Sequence, residues 1–204
     1  MGAAGRPASG RCAYDLFDMN EYESRLDQEL LSILQSQRMA ALGTLQTDGT
    51  PYVSLTPYAL DATSGRVVLQ VSALAPHAQH MRDDPRVSLL LISAEVTDLP
   101  SSSLPRLTLE GRAEFLREGS TAWHASRAAF VERFPNSGPI NALLDFEFVA
   151  LTLKAARQTS GFGASREVTA DAIAPMLQTD AGRADGTTGG FTQAPGVEPA
   201  VALR

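Results

Sequence analysis

The sequence has few of the residues from which disulfide frameworks, metal clusters and nucleic-acid interfaces are built. Its 204 residues include one cysteine, Cys12, and three histidines, and its formal net charge at pH 7 is −6. A single cysteine excludes an internal disulfide and a CxxC redox pair. The negative net charge gives no global basic field that would attract a polyanion. We therefore expect a globular protein whose partners do not include nucleic acid.

Long apolar segments are also absent. The longest apolar run, at residues 87–92, is far shorter than the ~20 residues that a membrane-spanning helix needs. The first residues, MGAAGRPASGR, lack the apolar core of a secretory signal, and Arg6 stands where a myristoylation motif needs Ser or Thr. The sequence therefore predicts a cytoplasmic protein without a membrane partner.

Composition divides the chain into three predicted segments. Residues 1–18 mix Gly, Ala, Pro, Ser and Arg without periodicity, which predicts a flexible N-terminal arm. Residues 19–177 carry the periodic apolar patterns and form the predicted domain. Residues 178–204 are rich in Gly, Ala and Thr and have little apolar content, which predicts a flexible C-terminal tail.

Three helices are predicted in the domain. The first begins at Asn20, which forms a capping box with Glu23, and it places apolar residues on one face. These residues are Tyr22, Leu26, Leu30, Ile33 and Leu34. The second helix spans 76–84 and is ended by Pro85, and the third spans 121–134. Trp123, Phe130 and Val131 are the core residues that we expect from the third helix.

Six strands are predicted from alternating or continuous apolar patterns, at 40–47, 51–60, 66–71, 87–93, 106–116 and 145–154. Asp48-Gly49 between the first two is a strong hairpin signal. Short strands joined by short turns, with helices between some of them, indicate a mainly β protein with flanking helices. The expected architecture is a small closed or partly closed antiparallel barrel.

His77 and His80 are the first candidates for a functional site, because they lie three residues apart on the second predicted helix. The motifs GxSxG, HExxH, Walker A and GxGxxG are absent from the sequence. The two histidines are interpreted in three ways. In the first they are metal ligands, although the spacing offers no third and fourth ligand. In the second they are exposed residues of a surface helix, and in the third they belong to a phosphate-binding site.

The phosphate interpretation depends on the segment 71–77, which joins a strand end to a helix start through small residues. Backbone N–H groups at a helix N-terminus carry partial positive charge and attract phosphate. Ser72 would add a hydroxyl donor, and His77 or His80 would add a ring N–H.

Three motifs make the chain resemble a known family. They are Ser-x-Leu-Ala-x-His at 72–77, Asp-Pro-Arg-x-Ser-Leu at 84–89 and Arg-Leu-Thr-Leu-x-Gly at 106–111. With the surrounding sequence from Leu30 to Ala164, they resemble the FMN-binding split-barrel proteins of the pyridoxamine 5'-phosphate oxidase-like superfamily. The subgroup that contains bacterial heme-utilisation proteins is the most similar.

This resemblance implies a six-stranded antiparallel split β-barrel that works as a homodimer with two FMN sites at the interface. It assigns Tyr52, Val53 and Ser54 to the strand that passes the flavin, and Val71, Ser72, Ala73 and Leu74 to the isoalloxazine and ribityl chain. It places His77 near the FMN phosphate and His80 beside it, and Arg106 would come from the partner subunit. Trp123 is expected to anchor the core rather than to stack on the flavin.

Two departures from the resemblance limit what is carried over. Heme-using members of the subgroup place a histidine ligand after the Gly-Phe-Gly motif, whereas here Gly161-Phe162-Gly163 is followed by Ala164, Ser165 and Arg166. A C-terminal arginine motif for binding pyridoxamine phosphate is also missing.

The sequence therefore predicts an FMN-dependent oxidoreductase that takes electrons from a small-molecule substrate or donor, with no catalytic residue assigned. The alternatives are a heme-binding or heme-degrading protein of the same fold, and a flavin-binding or cofactor-free interaction module.

Overall fold

The computed structural model describes residues 14–93, 104–137, 145–161 and 165–178, which form seven strands and four α-helices. The strands are β1 (Met39–Leu45), β2 (Pro51–Asp61), β3 (Arg66–Ser72), β4 (Arg86–Ile92), β5 (Arg106–Phe115), β6 (Phe146–Thr159) and β7 (Ser165–Thr169). The helices are α1 (Tyr14–Ser36), α2 (Pro76–Asp83), α3 (Thr121–Arg133) and α4 (Ala170–Gln178), and a single 3-10 turn spans Pro135–Ser137.

The first six strands close into an antiparallel barrel. The strand order is β3-β2-β1-β4-β5-β6-β7, and β3 also pairs with β6, which joins the two sides of the sheet. Closure gives every barrel strand two neighbours and so leaves no unpaired edge in the barrel. The predicted fold, a mainly β protein with a six-stranded antiparallel barrel and flanking helices, is confirmed.

The barrel core is filled by the inward-facing residues of the strands together with one face of α1. Side chains alternate between the two faces of a strand, so the inward positions of β1 are Ala40, Leu42 and Thr44. Leu30, Ile33 and Leu34 of α1 belong to the same buried cluster. The helix face predicted from periodicity therefore does pack on the sheet, except for Tyr22, which is 38% exposed.

Two tight turns fix the register of β1, β2 and β3. In the β1–β2 turn, Gly49 has a positive φ of 84° and the Asp48 side chain accepts a hydrogen bond from the Thr50 amide at 2.9 Å. This confirms the predicted Asp48-Gly49 hairpin. In the β2–β3 turn, the buried Asp61 carboxylate accepts hydrogen bonds from the Thr63 amide at 3.0 Å and the Ser64 hydroxyl at 2.7 Å.

Helix α3 covers the outside of the barrel over β2, β3 and β6. Phe130 is 2% exposed and packs with Ala59, Val68 and Phe148, and Trp123 packs half-buried against this cluster, as predicted for a core residue. The prediction that Val131 is a core residue is wrong, because its side chain is 36% exposed. Successive helix residues are rotated by ~100°, so the neighbour of an inward-facing Phe130 points away from the sheet.

Strand β6 continues to Thr159, beyond the predicted end at Lys154, and a β-bulge explains why its second half was not predicted. Glu110 pairs with Ala155 and Gly111 with Leu153, so Lys154 is an extra residue without a cross-strand partner. The inward positions are Val149, Leu151 and Leu153 before the bulge and Ala156 and Gln158 after it. A pattern search with a fixed period of two loses the strand at this shift in phase.

The elements after β6 extend the sheet beyond the predicted barrel. Strand β7 pairs with the second half of β6, and α4 follows it, ending one residue into the predicted tail 178–204. Arg166 of β7 is bound to α1, since its guanidinium donates to Glu23 at 2.7 Å and to Asp27 at 2.6 Å. The remainder of that predicted tail lies outside the described residues.

Helix α1 begins earlier than predicted. It starts at Tyr14 rather than after a cap at Asn20, so residues 14–18 of the predicted arm 1–18 are helical. Asn20 therefore lies inside the helix and the capping-box prediction is wrong. Residues before Tyr14 lie outside the described ranges.

Candidate ligand-binding site

A cavity of about 350 Å³ opens where β2, β3 and the start of α2 face the end of α3, and we call it the α2 cavity. Most of its wall is apolar or aromatic. It is lined by Leu55, Thr56, Pro57, Gln70, Val71, Ser72, Ala75, His77, Phe130, Phe134 and Phe146. Three predicted cofactor residues, Val71, Ser72 and His77, are thus brought together in one cavity.

The turn between β3 and α2 has the geometry that the sequence suggested. The Ala75 amide donates to the Ser72 carbonyl oxygen at 3.0 Å, and α2 begins with Pro76, which is pre-organised for a first helical position. The cap residue Ala75 makes no side-chain capping bond. Ala73 and Leu74 form the turn itself and do not line the α2 cavity, and Leu74 is 85% exposed.

The hydroxyl of Ser72 is already hydrogen-bonded on both sides. Its Oγ donates to a carboxylate oxygen of Asp145 at 2.8 Å and accepts a hydrogen bond from the Leu74 amide at 3.2 Å. The Ala73 amide also donates to the Asp145 carbonyl oxygen, at 2.6 Å. The Asp145 carboxylate therefore accepts the Ser72 hydroxyl hydrogen bond that the sequence assigned to a phosphate, and its negative charge would repel a phosphate bound beside it.

His77 contributes a neutral imidazole to the cavity wall. Burial lowers the pKa of His77 below its ordinary value of 6.5, and the nearby His80 lowers it further. Both effects favour the uncharged form of the ring, and the described lining of the cavity contains no Lys or Arg.

His80 faces a different part of the molecule. Its Nδ1 lies 3.1 Å from the hydroxyl of the buried Thr44 on β1, and its ring meets the Tyr52 ring edge-on with 5.0 Å between the centroids. Because His77 and His80 are turned to different neighbours, they do not form a pair of ligands. Within the described ranges, no three His, Cys, Asp or Glu side chains are grouped so that they could hold a metal ion.

A second cleft, of about 440 Å³, lies on the outer surface of the barrel, and we call it the outer cleft. It is lined by Gly43, Thr44, Leu45, Pro51, Tyr52, Val53, Arg86, Val87, Ser88, Glu110, Gly111, Arg112 and Lys154. Tyr52 and Val53, which the sequence assigned to a flavin site, thus line this cleft and not the α2 cavity, and the Tyr52 ring itself packs against His80 on the face of the sheet that Thr44 shares. Ser54 lies on β2 between residues 51–53, which line the outer cleft, and residues 55–57, which line the α2 cavity. Among the described residues, its buried hydroxyl has no hydrogen-bond partner.

Arg106 is separated from the α2 cavity of its own chain. It starts β5, opposite Ile92 of β4, and its guanidinium donates to the Leu104 carbonyl oxygen at 3.3 Å. It lines neither the α2 cavity nor the outer cleft. The predicted contribution from a partner subunit therefore stays a prediction.

Sequence reasoning missed Asp145 and the aromatic wall formed by Phe130, Phe134 and Phe146. Ser72 pairs with Phe146 across β3 and β6, which places Asp145 beside the β3–α2 turn. This antiparallel pairing joins residues more than seventy positions apart. In the sequence, Asp145 is only a polar residue at the start of a predicted strand. The pairing of β3 with β6 is what identifies Ser72 as its neighbour.

No described helix is long and apolar enough to cross a membrane. Among known families, the pyridoxamine 5'-phosphate oxidase family matches residues 26–160. A curated relative, the heme oxygenase HutZ of Vibrio cholerae, is 27% identical over 161 residues, which cover 78% of this chain and 90% of that protein.

Two further relatives are also named for heme. The chloroplastic heme oxygenase HOZ of Arabidopsis thaliana is 29% identical over 161 residues, which cover 75% of this chain and 48% of that protein. The solved structure of a heme binding protein from Mycobacterium smegmatis is 30% identical, with a TM-score of 0.65, and the match covers 73% of this chain and 60% of that one. The chain thus spans about half of the Arabidopsis relative.

Proposed function

The chain belongs to the pyridoxamine 5'-phosphate oxidase family, and from this premise we propose that it binds heme in the α2 cavity. The named relatives support this function, because the two curated proteins are called heme oxygenases and the Mycobacterium protein a heme binding protein. The proposal replaces the FMN-dependent oxidoreductase as the first function and retains FMN as a second candidate.

The observation that carries the proposal is a neutral histidine in an aromatic cavity. A porphyrin is a large apolar plane, and Phe130, Phe134 and Phe146 offer the apolar surface that such a plane requires. A neutral imidazole is the usual protein ligand of heme iron, and His77 is kept neutral by burial. His77 therefore supplies the group that a histidine after Gly-Phe-Gly supplies in the heme-using members.

Bound heme would supply the redox and oxygen chemistry, while this chain would bind the heme, orient it and exclude water from it. His77 would hold the group from one side, and the three phenylalanines would keep solvent from its face. The Ser72 hydroxyl keeps its proton on Oγ and donates it to the Asp145 carboxylate in a 2.8 Å hydrogen bond, which fixes the orientation of this hydroxyl at the cavity wall.

FMN in the same cavity is the second candidate. It is favoured by the grouping of Val71, Ser72 and His77, the residues that the family resemblance assigns to FMN. The Asp145 carboxylate disfavours FMN, because it accepts the Ser72 hydroxyl hydrogen bond that a phosphate would need.

A second copy of the chain would complete the site. The cavity volume is near the low end of ligand pockets, which span ~300–1,000 Å³, so one chain would cover only part of a heme. Met39, Leu55 and Ile92 are exposed on the outer faces of the neighbouring strands β1, β2 and β4. Leu55 also lines the cavity, and Arg106 lies opposite Ile92 in the register.

A twofold contact between these apolar surfaces would therefore bring the partner subunit's Arg106 towards the cavity, where its charge suits a propionate or a phosphate. The homodimer, the small-molecule electron donor and the cytoplasmic location stay predictions.

The test is a titration of the full chain with hemin and, separately, with FMN, followed by absorption spectroscopy. We expect a shifted Soret band with hemin, its loss in His77→Ala and its retention in the matched control His124→Ala, an exposed histidine on α3. A wild-type spectrum from His77→Ala would overturn the assignment of His77. Saturable FMN binding without a hemin complex would overturn the heme proposal and establish the second candidate.

A second measurement addresses the reaction. A reductant and oxygen are added to the hemin complex and the Soret band is followed. Decay of the band to a product without the porphyrin spectrum would assign heme breakdown, whereas a stable band would exclude it and leave heme binding alone.

A further inference from the structure

We propose that Arg38 is a positioning residue of the α2 cavity and that it acts through the ring of Phe134. Arg38 lies between α1 and β1, is exposed and does not line the cavity itself. Phe134 follows the last residue of α3 and forms part of the cavity wall. The inference rests on the proposed function, because it concerns one wall of the proposed ligand site.

The guanidinium of Arg38 lies over the Phe134 ring. Its Cζ atom is 4.6 Å from the ring centroid, which is within the ~6 Å over which a cation is attracted to an aromatic face. The Phe134 ring also stacks on the buried Phe130, with 29° between the two planes. Phe134 itself is only half-buried, so core packing holds its ring in part and the contact with Arg38 adds to it.

Arg38 is itself fixed at two points. Its guanidinium donates to the carbonyl oxygen of Arg133, the last residue of α3, at 2.7 Å. Its own carbonyl oxygen accepts a hydrogen bond from the Tyr58 amide on β2 at 3.3 Å. A cation at the C-terminal end of a helix is favoured, because the last carbonyl groups carry partial negative charge. The Arg38 side chain is therefore held against the end of α3, next to the ring of Phe134.

A second arginine makes the reciprocal contact between the two helices. Arg133 donates to the carbonyl oxygens of Leu34 at 3.0 Å and Gln35 at 2.9 Å, at the C-terminal end of α1. These hydrogen bonds join α3 to α1 without the side chain of Arg38. Substitution of Arg38 is therefore expected to release the Phe134 ring and to leave the helix in place.

A fixed ring favours the binding of a planar ligand. A wall that is ordered before the ligand arrives spares the ligand the cost of ordering it. Arg38 supplies this order for Phe134, whose neighbour Phe130 is already held by the core. A cation–π contact at an exposed site corresponds to about a two- to fivefold change in affinity.

The test is a double-mutant cycle on hemin binding to the full-length protein, followed by the Soret band. We expect Arg38→Ala to weaken hemin binding by about two- to fivefold. Arg38→Lys should lose less, because lysine also places a cation over the ring. In a Phe134→Leu background, Arg38→Ala should cause no further loss, since Arg38 acts through that ring.

The matched control is Arg127→Ala. Arg127 is also an exposed arginine over an aromatic ring, 5.8 Å from the centroid of Trp123, but neither residue lines the α2 cavity. This variant should bind hemin like the wild type. Unchanged affinity in Arg38→Ala, an equal loss in Arg127→Ala or in Arg38→Lys, or additive losses in the cycle would overturn the inference.

A measurement without ligand separates this inference from the proposed function. A 4-fluorophenylalanine takes the place of Phe134, and relaxation of its fluorine signal by a dissolved gadolinium chelate reports the exposure of the ring. Arg38→Ala should increase this relaxation, and Arg127→Ala should leave it unchanged. An increase in a protein that binds neither hemin nor FMN would support the positioning of Phe134 and overturn the proposed function. Unchanged relaxation in Arg38→Ala would overturn the inference even where hemin binds.

Discussion

The α2 cavity and the outer cleft lie along neighbouring segments of β2, yet their walls offer opposite chemistry. The cavity uses Leu55, Thr56 and Pro57 of this strand and adds phenylalanines and a neutral histidine, with no Lys or Arg in its described lining. The cleft uses Pro51, Tyr52 and Val53 and adds Arg86, Arg112 and Lys154. One strand thus separates an apolar site from a cationic one, and the residues that face each site decide which ligand it suits.

The largest expected effect on stability is on the apolar side of this comparison, in the wall of the α2 cavity. Phe130→Ala removes a buried ring that stacks on Phe134 with 4.7 Å between the centroids and should lower the free energy of unfolding by about 3–5 kcal/mol. The neighbouring Val131→Ala is the control, and a change within about 0.5 kcal/mol is expected because Val131 is exposed. Urea denaturation measures both, and equal losses would contradict the assignment of Phe130 to the core.

A smaller effect is expected on the cationic side. Gly111→Ala places a Cβ atom 2.6 Å from the Thr152 carbonyl oxygen, so the bulge must shift, at a cost of about 1–3 kcal/mol. Urea unfolding curves test this, and a variant as stable as the parent would show that the close approach is not a constraint.

Gly43→Ala, also in the lining of the outer cleft, is expected to raise stability where Gly111→Ala lowers it. Its Cβ atom finds ordinary contacts, and replacing glycine lowers the entropy of the unfolded chain, so stability should rise by about 0.4–1 kcal/mol. Urea denaturation measures this, and a variant less stable than the parent would contradict the ordinary contacts expected for the added Cβ atom.

The smallest expected effect is a change in how stability depends on pH. The pKa of His77 is lowered in the folded protein below its ordinary 6.5, so the unfolded chain binds this proton more readily. The stability that neutral His77 contributes is therefore present above pH 6.5 and is lost as the pH falls below that value. His77→Gln should show a shallower loss of stability between about pH 8 and about pH 5.

Urea unfolding at several pH values measures this slope. Gln79→Ala, a non-titrating and exposed position on the same helix, is the control and should follow the wild-type dependence. Parallel curves for His77→Gln and wild type would contradict the burial of the His77 ring.

Local sequence predicted the elements whose signals are local. The Asp48-Gly49 turn and the apolar face of α1 were found because turn chemistry and helical periodicity are written in neighbouring residues. The start of α1, the exposure of Val131 and the second half of β6 were mispredicted or missed. In β6 the cause is the extra residue Lys154, which shifts the phase of an alternating pattern.

The candidate site was predicted in part for the same reason. Val71, Ser72 and His77 are close in sequence and meet in one cavity, whereas Tyr52 and Val53 line the outer cleft. Asp145 could not be predicted, because it reaches Ser72 only through the pairing of β3 with β6.

The sequence by itself determined the family, the barrel class and the segment that joins β3 to α2, since these depend on composition, periodicity and short motifs. The tertiary structure decided that a carboxylate lies beside Ser72, that His77 is partly buried in an apolar cavity and that three cationic side chains line a separate cleft. The physical reason is that charge, burial and partnership are properties of spatial neighbours. In a closed barrel, those neighbours come from strands that are distant along the chain.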